Sequence, residues 1–300
     1  MLPHGLVAPP HEHTPAAGIG CMGPERVTFD IGFHNGDDAA YYLSLGCRVI
    51  AVEANPALAE EGRRRFPAEV ASGRLTIMNM GVWHTSRATL PFYVNDTDSG
   101  WSSFDRERGQ KGGKYHTIEI PCVSMAEIFQ NYGVPWYVKV DIEGADEVVV
   151  SALSPQTAPK YFSCELRHNS PAVDVLSRCG YTAFKLINQE TFTQSLPIFE
   201  HEMALRALRK VSMRFPPVRA WIAGWPDGLR PKKTLWDTFR ARCRYPFSTY
   251  ASGPFGEETE GRWLSVEEMK RRLDHVFAQY TRAGLVENFW YDLHARRGSS

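Results

Sequence analysis

The chain lacks the sequence features of disulfide-bonded, zinc-binding and membrane-spanning proteins. Its six cysteines, among 300 residues, form no C-x-x-C pair and no zinc-type spacing, which argues against a disulfide framework or a structural zinc site. No apolar run approaches the ~18 residues that a membrane-spanning helix needs. We therefore expect a soluble protein without a membrane span, in a reducing compartment, the cytoplasm.

A net charge is missing as well. The 34 Lys and Arg residues balance 34 Asp and Glu residues, so the charge of the whole molecule does not favour nucleic acid as a partner. Residues 1–24 lack a basic start and a continuous apolar segment, and we expect a flexible tail there and not a signal peptide. The 43% hydrophobic content is enough for one large domain with additions.

Two common phosphate-binding motifs are also absent. The chain has no G-x-x-x-x-G-K-[ST] sequence, and in its glycine turn His34 stands where the middle glycine of G-x-G-x-x-G would be. Backbone therefore cannot cradle a phosphate or a pyrophosphate in the usual way. These absences disfavour a P-loop protein and a nicotinamide dehydrogenase.

What the chain does contain is the outline of a nucleotide pocket. The sequence VTFDIGFHNG at 27–36 and RVIAVEANP at 48–56 predict a strand, a glycine turn, a helix and a second strand that ends in Glu53. The carboxyl ends of such strands, beside a helix N-terminus, are where open α/β sheets bind ligands. A carboxylate roughly twenty residues after the first glycine can accept both hydroxyls of a ribose. We therefore expect an adenosine ligand.

The acidic residues around the turn indicate which adenosine ligand it is. The pattern is D-x-G-x-x-x-G, and Asp30, Asp37 and Asp38 surround it. These carboxylates would repel a pyrophosphate, but they suit a ligand that carries an ammonium and a sulfonium. S-adenosylmethionine carries both groups.

A second block makes a family resemblance specific. The first block, together with VKVDIEGADEVVV at 138–150, resembles the FkbM family of S-adenosylmethionine-dependent methyltransferases, and residues 139–146 match the family's K-[IV]-D-[IV]-E-G-[AS]-[ED] pattern. The likeness covers about Val27 to Arg167 and includes the stretch 99–103. It implies a class I methyltransferase fold, an α/β Rossmann-like, doubly wound sheet. The family commonly has D-[VI]-G-A-N-x-G, whereas this chain has Phe33 and His34 at the Ala and Asn positions.

The cofactor contacts follow from the motif positions. We expect them at Asp30, Gly32, His34, Asn35, Gly36, Glu53, Asn55, Asn79, Gly81, Ser103 and Asp141. Three of these have other interpretations: Asn55 as the cap of the next helix, Asn79 as a strand-to-loop turn residue, and Ser103, like Ser102, as a plain turn serine. His34 either replaces the family's contact to the methionine end of the cofactor or has a new role.

The candidate catalytic residues are acids and histidines at strand ends. They are His34, Asp141, Glu143 and His168. His168 is a candidate general base, with an exposed or core-bonded histidine as the alternative. Asp141 and Glu143 are candidates through their mutual repulsion, with helix capping as the alternative. A divalent metal held by Asp141, Glu165 and a neighbour is conceivable, although no spacing demands it.

Strand and helix patterns alternate along the first two thirds of the chain. The predicted strands lie near 27–31, 48–53, 74–79, 136–141, 160–166 and 182–187, and the predicted helices near 37–45, 56–66, 124–132, 144–153 and 171–179. Residues 87–123 predict an inserted hairpin, with strands over 88–94 and 117–123. Capping boxes are expected at Ser124–Glu127 and Ser265–Glu268. The expected organisation is a tail (1–24), a methyltransferase domain (25–197) and a helical or irregular C-terminal extension (198–300) that contributes to the acceptor site.

The family resemblance favours O-methylation of a hydroxyl on a sugar, glycan or secondary metabolite. N-methylation and a non-catalytic, partner-binding methyltransferase fold are the alternatives. The segment 206–244 has eleven Lys or Arg residues interleaved with aromatics, which is either a solvated basic face or a platform for an anionic or glycosylated acceptor. No recognised module supports nucleic-acid binding. The sequence leaves a homo-oligomer open.

Overall fold

The alternation of strands and helices builds a mostly parallel central sheet. The computed structural model describes residues 26–167, 170–194, 240–248, 250–284, 286 and 289–298. Its strands, in chain order, are β1 Val27–Ile31, β2 Arg48–Val52, β3 Leu75–Met78, β4 Gly81–Val82, β5 Thr89–Asn95, β6 Tyr115–Val123, β7 Tyr137–Val140, β8 Tyr161–Glu165, β9 Tyr181–Asn188 and β10 Tyr291–Arg297. Each of the six strands predicted for the central sheet is present.

The helices connect these strands as the sequence predicts. They are α1 Asp37–Ser44, α2 Pro56–Arg65, α3 Pro67–Ala71, α4 Arg106–Gly109, α5 Met125–Tyr132, α6 Asp146–Ser151, α7 Ala172–Arg178 and α8 Val266–Ala283. The short α3 and α4 were not predicted. Helix α6 is shorter than the predicted 144–153, because Glu143 and Gly144 both have a positive φ and form a turn before it. Among the described residues, no helix is both long and apolar enough to cross a lipid bilayer.

The order of the strands creates a switch point beside β1. The seven-stranded sheet has the order β3-β2-β1-β7-β8-β10-β9, and β1 pairs in parallel with both β2 and β7. The chain therefore leaves β1 on one side toward β2 and β3, and returns on the other side as β7 and β8. Ligands of open α/β sheets bind at such a point, outside the carboxyl ends of the strands.

Both faces of the sheet are covered. Phe29 and Ile31 of β1 pack into a core with apolar residues of α5, α6, α7 and α8. On the other face, residues of α1 and α2 form a second core with Tyr137 and Phe255, whose rings stack with their centroids 3.9 Å apart. This is the doubly wound arrangement that the resemblance implies.

The sequence analysis did not predict the strand β10. It lies between β8 and β9 and is antiparallel to both. Its sequence, YDLHARR, alternates apolar and polar residues as a strand with one face in water does, yet the polar Asp292 and His294 are almost fully buried. A C-terminal segment therefore completes the sheet. Residues 1–25 and 195–239 lie outside the described residues. The proposed domain boundaries there, and the two interpretations of the basic segment 206–244, most of which lies in this range, stay predictions.

The insertion is a hairpin, as predicted. Strands β5 and β6 pair antiparallel from Thr89 opposite Pro121 to Asn95 opposite Tyr115, and β4 adds a parallel strand to β6. Between β5 and β6 the chain forms a short 3₁₀ turn at Ser99–Trp101 and then α4. This connection faces the carboxyl ends of the central strands.

One predicted capping box is complete and the other is half formed. At α8, Ser265 Oγ accepts the Glu268 N–H and the Glu268 carboxylate accepts the Ser265 N–H. At α5, Ser124 Oγ accepts the Glu127 N–H at 3.2 Å. The Ser124 N–H, however, donates to Ser86 Oγ at 3.0 Å, so a tertiary contact replaces the expected return bond from Glu127.

The complete box predicts a measurable stability effect. Replacing Ser265 by alanine leaves the Glu268 N–H without its side-chain acceptor, and we expect the free energy of unfolding to fall by ~1 kcal/mol. Urea unfolding followed by circular dichroism measures this change. The matched control is Ser151→Ala at the end of α6, where the hydroxyl only donates back to the Val148 carbonyl, with an expected change within about 0.5 kcal/mol. Equal effects of the two substitutions would contradict the assignment.

Candidate cofactor and active site

A cavity opens at the carboxyl ends of β1, β2 and β7, at the switch point. It holds about 1150 Å³ of empty space, including open solvent at its mouth. One wall is the glycine turn with Glu53 and Asp141. The opposite wall comes from the insertion, residues 98–102, and from Gln189, Tyr250, Ala251 and Trp290 of the C-terminal half.

The glycine turn brings the backbone of β1 against that of β7. Gly32 has φ of +94°, and a Cβ atom on it would lie 1.9 Å from the carbonyl oxygen of Asp141. Only glycine fits both the conformation and the space. The Gly32 and Phe33 N–H groups donate to the Val52 carbonyl, at 3.0 and 3.1 Å. The turn is thereby fixed between its two neighbouring strands.

Glu53 directly follows β2 and is held by two backbone groups. Its carboxylate oxygens accept the N–H groups of His34 and Asn55, both at 2.7 Å. Burial raises the pKa of Glu53 to about 7, although the two hydrogen bonds oppose this rise. Each carboxylate oxygen can accept more than one hydrogen bond, so Glu53 keeps acceptor capacity toward the cavity. The two carboxylate oxygens, with the acceptor capacity that remains on them, fit a pair of ribose hydroxyls.

A buried lysine neutralises part of an acidic cluster beneath the turn. Lys139 Nζ lies 3.2 Å from Asp30, 3.4 Å from Asp38 and 3.9 Å from Asp141, and it donates to the Gly32 carbonyl at 2.7 Å. Burial raises the pKa of Asp30 to about 7. One cation thus faces three carboxyl groups, and the partly exposed Asp141 lines the cavity. The site therefore favours a cationic ligand.

His34 has a fixed and uncommon conformation. Its φ of +50° is left-handed, which non-glycine residues seldom adopt. Its Nε2 lies 2.8 Å from Ser99 Oγ, and its ring centroid is 5.2 Å from that of Tyr250. Burial lowers the pKa of His34 below its usual value, so the imidazole is neutral near pH 7. It links the glycine turn to the insertion.

Glu143 has a second left-handed conformation, with φ of +46°. Its carbonyl accepts the Ser103 hydroxyl at 2.6 Å, and its carboxylate pairs with Arg108 of α4. Arg108 also lies 3.8 Å from Glu165. Burial, and then the charge of Asp141, raise the pKa of Glu143 to about 7, against the opposing effect of Arg108.

Three of these carboxylates could hold a divalent cation. One oxygen each of Asp141, Glu143 and Glu165 lies within 4.8 Å of the others, and oxygen is the ligand that hard cations prefer. The Arg108 guanidinium already contacts two of the three. A metal would therefore have to displace Arg108, so the residues present fit an arginine-neutralised cluster better than a metal centre.

The predicted site residues divide into cavity-lining and supporting positions. Those that line the cavity are Gly32, His34, Asn35, Glu53, Gly81, Asp141 and Glu143. Behind this lining lie Asp30, Gly36, Asn55, Asn79 and Ser103. His168 lies outside the described residues.

The supporting residues have identifiable structural bonds. Asn55 caps α2 through the Ala57 N–H at 3.0 Å, and the Asn79 amide donates to the Glu53 carbonyl at 2.9 Å. Gly36 is the N-cap of α1, with φ of +80°. The Ser103 hydroxyl donates to the Glu143 carbonyl and accepts the Asp105 N–H. In this structure they position the lining.

Sequence reasoning missed several residues of the site. Four of them with polar or aromatic side chains are Arg108, Gln189, Tyr250 and Trp290. All come from the insertion or from the C-terminal half, where no local motif marks a position as cavity-lining. The resemblance also led us to expect residues 79–82 beside the adenine ring. Met80, Gly81 and Val82 of that stretch line the cavity, together with the apolar side chains of Leu58, Phe92 and Phe104, which were not predicted.

Several solved methyltransferase structures are similar to this chain at low sequence identity. Precorrin-6y C5,15-methyltransferase from Geobacter metallireducens has a TM-score of 0.32 and 16% identity, covering 55% of this chain and 67% of its own. Phosphoethanolamine N-methyltransferase 2 from Haemonchus contortus, in complex with S-adenosyl-L-methionine, has a TM-score of 0.34 and 10% identity, covering 93% of this chain and 50% of its own. The StiE O-MT has a TM-score of 0.35 and 11% identity, covering 92% and 69%.

A search of the curated proteins found no significant match. The family comparison, in contrast, agrees with the motifs. The model of the methyltransferase FkbM domain matches residues 30–183, a range that begins at Asp30 before the glycine turn and ends within β9. It includes Glu53, the insertion and the K-x-D-x-E-G block, and it spans just over half of the chain. The chain belongs to the FkbM methyltransferase family.

Proposed function

We propose that this protein binds S-adenosylmethionine and transfers its methyl group to a hydroxyl of a small-molecule or glycan acceptor. One observation carries the proposal: the buried carboxylate of Glu53 faces the cavity at the end of β2, beside a glycine turn that leaves room for a ligand. A carboxylate that is only 7% exposed is costly to bury unless its hydrogen-bonding capacity is met, and the N–H groups of His34 and Asn55 meet only part of it. Ribose hydroxyls would use the rest.

The rest of the lining is consistent with the other parts of this cofactor. The apolar wall that includes Leu58 and Met80 would take the adenine ring. At the other end, Asp141 and the acidic cluster around Lys139 would attract the ammonium and the sulfonium. His34 lines the same cavity, where Ser99 fixes its ring, and would replace the contact that the family's asparagine makes to the methionine end of the cofactor.

Glu143 is the residue that best suits proton removal from the acceptor. A bound sulfonium supplies the methyl group together with its leaving group, so the protein has to align the acceptor hydroxyl and take up its proton. Glu143 lines the cavity, and its pKa of about 7 lies near the operating pH, where a general base is most effective. Arg108 and Ser103 hold it in place.

The ribose assignment predicts a loss of affinity in a Glu53→Ala variant. We expect S-adenosylhomocysteine to bind about 100-fold more weakly, because two hydrogen bonds to a charged group are lost at roughly 1.5 kcal/mol each. Isothermal titration calorimetry measures the dissociation constant, and NAD serves as the comparison ligand. The matched control is Glu60→Ala, an exposed residue of α2 outside the cavity.

Two outcomes would count against the cofactor proposal. If the folded parent protein does not bind S-adenosylhomocysteine, or binds NAD more tightly, the proposed function is wrong. If the parent binds it but Glu53→Ala binds it equally well, only the ribose assignment is wrong.

The raised pKa of Glu53 predicts that cofactor affinity depends on pH. Below about pH 7 the carboxyl group is protonated in the free protein, and the protonated group accepts ribose hydroxyls poorly. The affinity for S-adenosylhomocysteine should therefore rise about tenfold from pH 6 to pH 8. In a Glu53→Gln variant this rise should be much smaller. A parent affinity that is constant over this range would contradict the prediction.

The proton-acceptor assignment predicts that Glu143→Gln transfers methyl groups roughly 10²–10⁴-fold more slowly. A panel of sugars, glycans and hydroxylated metabolites, with radiolabelled cofactor, identifies an acceptor and provides the assay. The variant should bind S-adenosylhomocysteine nearly as well as the parent, since Glu143 acts on the acceptor. Full activity of Glu143→Gln would contradict the assignment.

The same assay, run with and without a chelator, tests whether a divalent metal takes part. We expect unchanged turnover of the parent, because Arg108 neutralises the carboxylate cluster.

A further inference from the structure

A second cavity adjoins the cofactor cavity. Three residues, Trp101, Glu143 and Trp290, line both. Trp101 ends the 3₁₀ turn of the insertion, and Trp290 directly precedes β10, so two distant segments form the boundary between the cavities. The carbonyl of Trp290 is anchored by the Gln189 N–H at 3.2 Å and by the Asn188 amide at 3.3 Å.

The shared boundary gives the second cavity access to the reacting centre. A molecule in the second cavity reaches the cofactor cavity past Glu143, the proposed proton acceptor. Its hydroxyl would then lie between the carboxylate that removes the proton and the cavity that holds the methyl donor. In-line transfer needs the acceptor oxygen behind the methyl carbon, opposite the leaving sulfur, and a base within reach of the hydroxyl proton.

Aromatic side chains form much of the wall of the second cavity. Besides Trp101 and Trp290 they are Phe277 and Phe289, whose rings stack with centroids 4.2 Å apart. Trp290 is 37% exposed and Val286, in the same lining, is 39% exposed, so this part of the wall presents open apolar surface to a ligand. Flat, apolar walls with polar groups among them suit a ring that carries hydroxyls.

One cation of the second cavity has donors that no described residue uses. Arg108 is paired with Glu143 and Glu165, and Lys111 Nζ lies 4.5 Å from the centre of the Trp101 ring. Arg167 forms no ion pair within the described residues. Its Nε and Nη2 atoms are buried and have no hydrogen-bond partner there either.

The position of Arg167 is set by its neighbours. A Cβ atom on Gly144 would lie 2.0 Å from Arg167 Nη2, so the glycine of the K-x-D-x-E-G block makes room for the guanidinium. Buried arginine donors without partners cost free energy. A planar guanidinium binds carboxylates and phosphates through two parallel hydrogen bonds. Since Arg167 lines the second cavity, an anionic group there would pair with the charge that no described residue pairs.

We infer that the second cavity is the acceptor subsite and that it takes a hydroxylated ring carrying a carboxylate or phosphate, with the ring at Trp101 and Trp290 and the anion at Arg167. This assignment rests on the proposed function for the role of Glu143. It names the acceptor class by its chemistry: a ring, a hydroxyl that reaches Glu143, and an anionic group.

Matched pairs of small probes test the assignment. Saturation-transfer NMR measures the binding of methyl glucuronide and phosphorylated glucose against neutral methyl glucoside, and of hydroxybenzoate against hydroxybenzamide, with S-adenosylhomocysteine present. The acidic member of at least one pair should bind about tenfold more tightly, which is the effect of one charge-assisted contact. The sugar and benzene pairs distinguish the two sources of such a ring.

Two sets of variants connect the binding to the named residues. Arg167→Gln should remove the preference for the acidic probe, Arg167→Lys should restore part of it, and Arg271→Gln, an exposed arginine of α8 outside both cavities, should retain it. Trp290→Ala should weaken the binding of the acidic and the neutral probes to the same extent. The control for that variant is Trp263→Ala, which packs on Tyr161 at the opposite end of β8.

The controls separate the failure of this inference from that of the proposed function. Calorimetry with S-adenosylhomocysteine on each variant reports the cofactor site, and circular dichroism shows independently that the variant is folded. If the cofactor product binds and acidic probes show no preference, or Arg167→Gln keeps the preference, the acceptor subsite is wrong and the cofactor site is not. The probe titrations are repeated without S-adenosylhomocysteine, so an Arg167-dependent preference supports the subsite even if the cofactor proposal fails.

Discussion

The buried ammonium of Lys139 is the interaction on which the rest of the site depends. It bridges Asp30 at β1, Asp38 in α1 and Asp141 after β7, and it donates to the Gly32 carbonyl. Removing one partner of such a buried cluster typically costs about 3–5 kcal/mol, because the remaining charges are left uncompensated. The cluster extends to the C-terminal half, since Asp38 also accepts the Ser252 N–H. A single cation thus fixes the glycine turn, its helix and the opposite wall of the cavity.

Two left-handed residues store strain on either side of this cluster. His34 and Glu143 both have positive φ, a conformation that persists only where surrounding contacts determine it. For His34 those contacts are Glu53 and Ser99, and for Glu143 they are Ser103 and Arg108. Each residue joins the central sheet to the insertion. The insertion therefore sets the geometry of both the cofactor cavity and its boundary with the second cavity.

Local patterns were sufficient for six strands of the central sheet, for the glycine turn and for the family. The block at 27–56 could be interpreted from consecutive residues, because β1, Gly32 and the end of β2 before Glu53 lie at fixed spacings along the chain. A capping box depends on two residues that are three positions apart, and the predicted box was fully confirmed at Ser265. At Ser124 it was correct only in part, because Ser86, far away in sequence, competes for the same N–H. The boundary of α6 was wrong because the backbone turns at Glu143 and Gly144.

The sequence by itself determined the fold class, the positions of Glu53 and Asp141 at strand ends, and the acidic surroundings of the glycine turn, because these depend on neighbours along the chain. Only the tertiary structure decided that β10 enters the sheet between β8 and β9, that Arg108 neutralises Glu143, and that Trp290 meets the cofactor cavity. It also showed that Asn79 and Ser103 support the site from behind its lining. The physical reason is that these contacts join residues far apart in the chain, and periodicity carries no information about which distant segments will pack together.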